Sequence, residues 1–101
     1  MPNAFKNYVA ESVTTLATVH TGPALTETTI IGLSIANTSA SAITASVLLG
    51  TTYLVKNAPI PVGGSLIAVG GDQKLVLEAA DLLRVEATAT VDVIVSALEI
   101  T

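Results

Sequence analysis

Hydrophobic and polar positions alternate along much of this chain. From Thr28 to Asn37, Ile31, Leu33 and Ile35 alternate with Gly32, Ser34 and Ala36. A period of two is what a strand produces when one of its faces is buried. The small residues opposite leave room for a second surface to approach closely. Asn37-Thr38-Ser39-Ala40-Ser41 then supplies a polar turn. The alternation resumes from Ala42 to Leu49, with Ile43, Ala45, Val47 and Leu49 on one side, and Gly50-Thr51-Thr52 turns the chain into Tyr53-Leu54-Val55. Pro59 and Pro61 cannot donate to a ladder, so the stretch from Asn57 to Pro61 reads as an edge strand or an extended loop. Two Gly-Gly pairs, at 63–64 and 70–71, bracket Ser65 to Ala68 and mark a hairpin or a bulge.

The last third admits two readings. Glu, Ala, Leu and Lys between Lys74 and Ala89 suit a helix from about Gln73 to Ala87. The pairs Leu75/Leu77 and Leu83/Val85 suit two strands instead, with Ala79-Ala80-Asp81 as the turn and Arg84 and Glu86 facing solvent; this reading is favoured. Val91, Val93 and Val95 line one face of a closing strand, while Ile94, Leu98 and Ile100 lie opposite with Ser96. A strand apolar on both faces is sandwiched between layers or covered by a neighbour. At the other end, Leu16, Ala17 and Val19 start a first strand that ends at Thr21-Gly22-Pro23. Residues 1–13 read as an extended arm, with a disordered tail or an ordinary first strand as rivals. Short strands at this spacing predict an all-β chain. The expectation is a single antiparallel β-sandwich over residues 14–101, jelly-roll or immunoglobulin-like, with an extended N-terminal arm.

Composition narrows the function. The chain has 101 residues, enough for one domain. Half are hydrophobic but only 3% aromatic, so the apolar mass is Val, Ile, Leu and Ala. Charged residues make up 12%, against about 25% in a typical soluble domain. Too few charges exist to coat the surface, which must be small and uncharged or covered by a partner. The net charge is -4, and Lys6, Lys56, Lys74 and Arg84 are scattered. No basic run is present to neutralise phosphates or an anionic membrane, so neither nucleic acid nor membrane is expected as a partner. The absence of cysteine removes thiolate chemistry, Cys zinc sites and disulfides together. Met1 to Lys6 lacks a signal-peptide layout, and synthesis in the cytoplasm is expected.

Candidate chemistry is sparse. His20, the one histidine, stands beside a Thr-Gly-Pro turn, where a surface position is expected. No ligand spacing for zinc, no Gly-x-Ser-x-Gly elbow and no phosphate loop is present. The eight acids are dispersed, and solubility accounts for them. No enzyme activity, cofactor, metal or small-molecule substrate is expected.

The order of blocks carries a resemblance. Thr29-Ile30-Ile31-Gly32-Leu33-Ser34-Ile35-Ala36-Asn37-Thr38 is followed by Ala45 to Leu49 and by Tyr53-Leu54-Val55-Lys56-Asn57. Then come Ile60-Pro61-Val62-Gly63-Gly64-Ser65-Leu66, Lys74-Leu75-Val76-Leu77-Glu78-Ala79-Ala80-Asp81 and Val93 to Glu99. Over residues 14 to 100 this resembles the small β-sandwich virion structural proteins of tailed bacteriophages, of marine and cyanobacterial type. In that family the block before the aspartate often reads Leu-Glu-Ala-Gly-Asp; here Ala80 takes the glycine place. The resemblance implies a virion component: a capsid decoration (cement) protein on the outer capsid surface, or a tail, neck or fibre-associated subunit. As a decoration protein it would bind the major capsid protein across subunit junctions and associate with itself, a trimer being favoured. A carbohydrate- or host-surface-binding module is the reading from another class. Phe5, Tyr8 and Val9 in the arm are the expected grip on the shell, and Ile94, Leu98 and Ile100 the expected self-contact.

Overall fold

The computed structural model describes residues 3–70 and 74–100; Gly71 to Gln73, part of one expected turn, lie outside them. Among the described residues nine strands are formed: β1 (Asn3–Val13), β2 (Ala17–Thr21), β3 (Glu27–Asn37), β4 (Ile43–Leu49), β5 (Thr52–Ile60), β6 (Ser65–Val69), β7 (Leu75–Leu77), β8 (Leu82–Ala87) and β9 (Val91–Ile100). They make two antiparallel sheets. One is ordered β1-β9-β3-β6, with β7 also paired to β3; the other is ordered β2-β8-β4-β5.

This order follows from one long ribbon. The first half of the chain, β1 to β4, pairs with the second half in reverse: β1 with β9, β2 with β8, β3 with β6 and β4 with β5. Rolling the ribbon brings β3 against β9 and β4 against β8. Only β4 and β5 are both consecutive and paired. An immunoglobulin-like sandwich would keep its first two strands side by side. The fold is therefore a jelly-roll β-sandwich, with β7 as a short addition.

The core lies between the sheets. Ile30, Leu33 and Ile35 from β3 and Val91, Val93 and Val95 from β9 meet Val47, Leu83 and Val85 from the facing sheet. Each such side chain contributes about 1.5–3 kcal/mol when fully buried. β-branched residues fit this layer because their restricted rotamers suit a pleated surface. Leu82–Ala87 alternates as expected, with Leu83 and Val85 buried, Arg84 half-buried and Glu86 exposed. The helix alternative for 74–89 is not formed.

Two expectations need correction. The stretch read as an arm is an edge strand: residues 3–10 pair continuously with β9, from Asn3 opposite Ile100 to Ala10 opposite Val93. Apolar residues on alternate sides of that stretch gain a ladder partner and a core face together, which a free arm would forgo. In β3, Ile31 does not share a face with Leu33 and Ile35. A bulge between Ile30 and Gly32 shifts the phase, so Thr28 and Ile30 point inward below it and Leu33 and Ile35 above it.

Candidate interaction surface

The outer face of the five-stranded sheet gathers most of the candidate contact residues. Val9 on β1 stands opposite Ile94 on β9, Ile94 opposite Ser34 on β3, and Ser34 opposite Ile67 on β6. A second row runs Phe5, Leu98, Thr29, Val76 across β1, β9, β3 and β7. Between them lies the row Asn7, Ser96, Gly32. Ile100 continues the apolar field beyond the Phe5 row. Between the Val9 and Phe5 rows, β1, β9 and β3 place no charged residue on this face. Phe5 is 77% exposed, Val9 63%, Ile67 62%, Val76 56% and Ile94 51%. Two apolar ridges thus flank a trough of small polar residues, and a shallow concavity lined by Phe5, Lys6, Asn7, Ile31, Ser96 and Ala97 opens there, with Lys6 its one charged residue.

The strands dictate this geometry. β9 runs apolar on both sides because Val91, Val93, Val95 and Ala97 fill the core while Ile94, Leu98 and Ile100 project outward. β1 extends the outer set by two positions. Phe5, Val9, Ile94, Leu98 and Ile100 therefore share one face, although they come from opposite ends of the chain. Tyr8 does not join them.

Tyr8 points inward, to a polar cluster at the β1 side of the sandwich. Its hydroxyl donates to Oε2 of Glu99, and its ring stacks on His20 with centroids 3.9 Å apart at 26°. His20 Nε2 lies 3.8 Å from the same carboxylate oxygen. His20 and Glu99 are both buried, not surface residues as their sequence contexts suggest. Burial pushes the Tyr8 phenol up to about 12, and the bond and charge of Glu99 add to it. Burial lowers the His20 pKa, and the Glu99 carboxylate partly opposes that. His20 Nε2 and the neighbouring buried Thr28 hydroxyl have no hydrogen-bond partner. Thr28 stands directly opposite Glu99 in the sheet. The cluster joins β1, β2 and β9 with polar contacts.

A second concavity, on the outer side of the four-stranded sheet, is lined by Thr14, Thr15, Thr44, Ser46, Asn57, Glu86, Ala87 and Thr88. It offers hydroxyls, one amide and one carboxylate, but no aromatic ring. Among the described residues no group of three His, Cys, Asp or Glu is placed to hold a metal ion.

No known protein family, curated protein or solved structure matches this chain.

Proposed function

We propose that this chain is a non-enzymatic structural subunit of a bacteriophage particle, a capsid decoration protein that docks through the outer face of its five-stranded sheet. The observation that carries this reading is the uncharged double ridge formed by Phe5, Val9, Ile94, Leu98, Ile67 and Val76. Contiguous exposed apolar area of this kind marks a protein contact. Jelly rolls recur in viral shells, and also in lectins, so the fold supports the reading without deciding it. The block order that resembles tailed-phage virion proteins supplies the particle. A specific contact buries about 1,200–2,000 Å² in total, and repetition over a shell strengthens a modest contact through avidity.

The test is cryo-electron microscopy of the particle, comparing the chain with its Ile94→Lys variant. Ile94 is half-exposed, so the variant folds; it is expected to lose most of its occupancy, as a charge in a contact centre costs well over 1 kcal/mol. Density on the outer shell at the junctions of capsid subunits supports decoration. Density on the tail or neck moves the docking site while keeping the packing role. Absence from the particle overturns the proposal. The hydroxyl-lined concavity favours a second reading, a carbohydrate-binding module, although it lacks the aromatic platform such sites use. Glycan-array binding by the isolated chain, lost in Glu86→Gln, would favour that reading.

A further inference from the structure

The four sheet edges are not alike. β5, the edge of the four-stranded sheet, is obstructed: Pro59 lies within it, Lys56 projects from it, and Asn57 takes a φ of 54° where Ser46 Oγ receives its backbone N–H. β2, β6 and β7 are five, five and three residues long, and the first two are interrupted by register shifts. Short, bulged or proline-bearing edges discourage strand addition. β1 carries one exposed lysine, Lys6, but no proline, and its ladder with β9 runs without a register shift from Asn3 to Ala10, the longest regular stretch of any edge strand. One side of it is paired to β9 and the other is open. Its regular stretch ends only where Ser12, with a φ of 54°, donates its N–H to Asp92 and the register shifts.

We infer that β1 pairs antiparallel with β1 of a second copy of this chain, about a two-fold axis through Asn7. The occupant follows from the residues of the strand. An antiparallel pair of identical strands keeps the same faces together only when a residue stands opposite its own copy. Centred on Asn7, Phe5 stands opposite Val9′ and Val9 opposite Phe5′, an aromatic–β-branched pair formed twice, which stabilises an antiparallel ladder. On the inner side Ala4 stands opposite Ala10′, and Lys6 opposite Tyr8′. Centred one residue earlier, Lys6 would oppose Lys6′ and Phe5 would oppose Asn7′. Centred one residue later, Phe5 would oppose Glu11′ and Val9 would oppose Asn7′. Of these three registers, only the one centred on Asn7 pairs both apolar residues and sets no like charges opposite each other.

Nine residues from each copy would add about eight to ten inter-chain backbone hydrogen bonds. The two five-stranded sheets would become one continuous ten-stranded sheet. The Phe5 row of one copy would meet the Val9 row of the other, so the ridges would run unbroken across the junction. A contact of this kind is isologous and closes at two copies. It therefore gives a dimer, in place of the trimer that the family resemblance implies, and it stands whether or not the particle reading holds.

Sedimentation of the purified chain across a concentration series is the first measurement. A reversible dimer is expected, and Phe5→Lys/Val9→Lys, with circular dichroism and melting temperature near those of the parent, should weaken it at least a hundred-fold. The register is read with single cysteines, for which the chain offers a clean background. Opposed residues lie about 4.5–5.5 Å apart between Cα atoms, within disulfide range. Asn7→Cys should oxidise to a covalent dimer, while Lys6→Cys and Tyr8→Cys should remain largely monomeric under the same conditions. A monomer at all concentrations, a trimer, a dimer unaffected by Phe5→Lys/Val9→Lys, or preferential cross-linking at position 6 or 8 would each overturn the proposal.

Discussion

Ala80 invites a substitution whose effect is set by the backbone alone. The turn from Glu78 to Asp81 is closed by the Asp81 N–H donating to the Glu78 carbonyl at 3.1 Å, and Ala80 holds a φ of 70°. The turn from Pro61 to Gly64 is built in the same way, closed at 2.9 Å, with Gly63 at a φ of 74° in the equivalent place. A left-handed conformation costs an alanine about 1–2 kcal/mol and a glycine almost nothing. Ala80 is exposed, so its methyl group contributes little packing. Against the relief stands the greater freedom of glycine in the unfolded chain, about 0.4–1 kcal/mol. Ala80→Gly should therefore stabilise the protein by about 0.5–1 kcal/mol, raising the melting temperature by about 3–6 °C. The reciprocal change, Gly63→Ala, meets no atom within 4 Å of the added Cβ, so the same two opposing effects apply with reversed sign and it should cost about 0.5–1 kcal/mol. Differential scanning calorimetry on both variants checks the pair. If Gly63→Ala destabilises as expected while Ala80→Gly leaves the midpoint unchanged or lowers it, the assignment of strain to Ala80 is wrong.

Two further outcomes follow from the buried polar groups. The Asn37 side-chain amide donates to the carbonyls of Ser41, Ile60 and Pro61 and accepts from the Ser39 backbone N–H and hydroxyl. Asn37→Ala should cost about 2–3 kcal/mol in urea unfolding, and Asn37→Asp at least as much, because a carboxylate cannot donate to three carbonyls. Stability should also fall at both pH extremes. His20 has a folded pKa below its unfolded value near 6.5, so its contribution is present above that value and lost as the pH falls through it, read from urea midpoints between pH 7 and 5. The Tyr8 pKa rises from 10.0 to about 12, so its contribution is present below pH 10 and lost as the pH climbs toward 12. Tyr8→Phe should remove the alkaline limb and cost about 1 kcal/mol at neutral pH, as the phenol is partly open to solvent.

Local alternation carried far in this sequence, and long-range pairing did not. The phases of Leu82–Ala87 and Val91–Ile100 are written in consecutive residues, so the inward and outward sets of both strands were legible. Pro59 and Pro61 marked an edge for a reason internal to proline. The bulge at Ile30–Gly32 has no such mark: Ile30 and Ile31 are consecutive isoleucines, so alternation does not say which of the two turns inward, and pairing with Ser96 and Ala97 selects the shift. Phe5 and Val9 were legible as apolar residues in need of cover, as were Ile94, Leu98 and Ile100. Their meeting on one face depends on the β1–β9 register, which joins residues about ninety positions apart. The same register brings Tyr8 to Glu99 and turns two residues that look like surface polar groups, His20 and Glu99, into buried partners.

The place of β9 bears on how the chain reaches its native state. This strand lies between β1 and β3 and contributes to the core, to the outer ridges and to the polar cluster. It is also the last of the nine to leave the ribosome. Until Val91 to Ile100 emerge, β1 and β3 are unpaired along the sides they later share with it, and the core lacks Val91, Val93, Val95 and Ala97. Completion of the jelly roll therefore waits on the strand made last of the nine and is dominated by distant contacts, with folding on the millisecond-to-second scale expected of such topologies. In that interval the exposed segments of neighbouring nascent chains compete for the same pairing, so yield on expression should depend on the rate of synthesis and on chaperone supply more than on the stability of the finished sandwich.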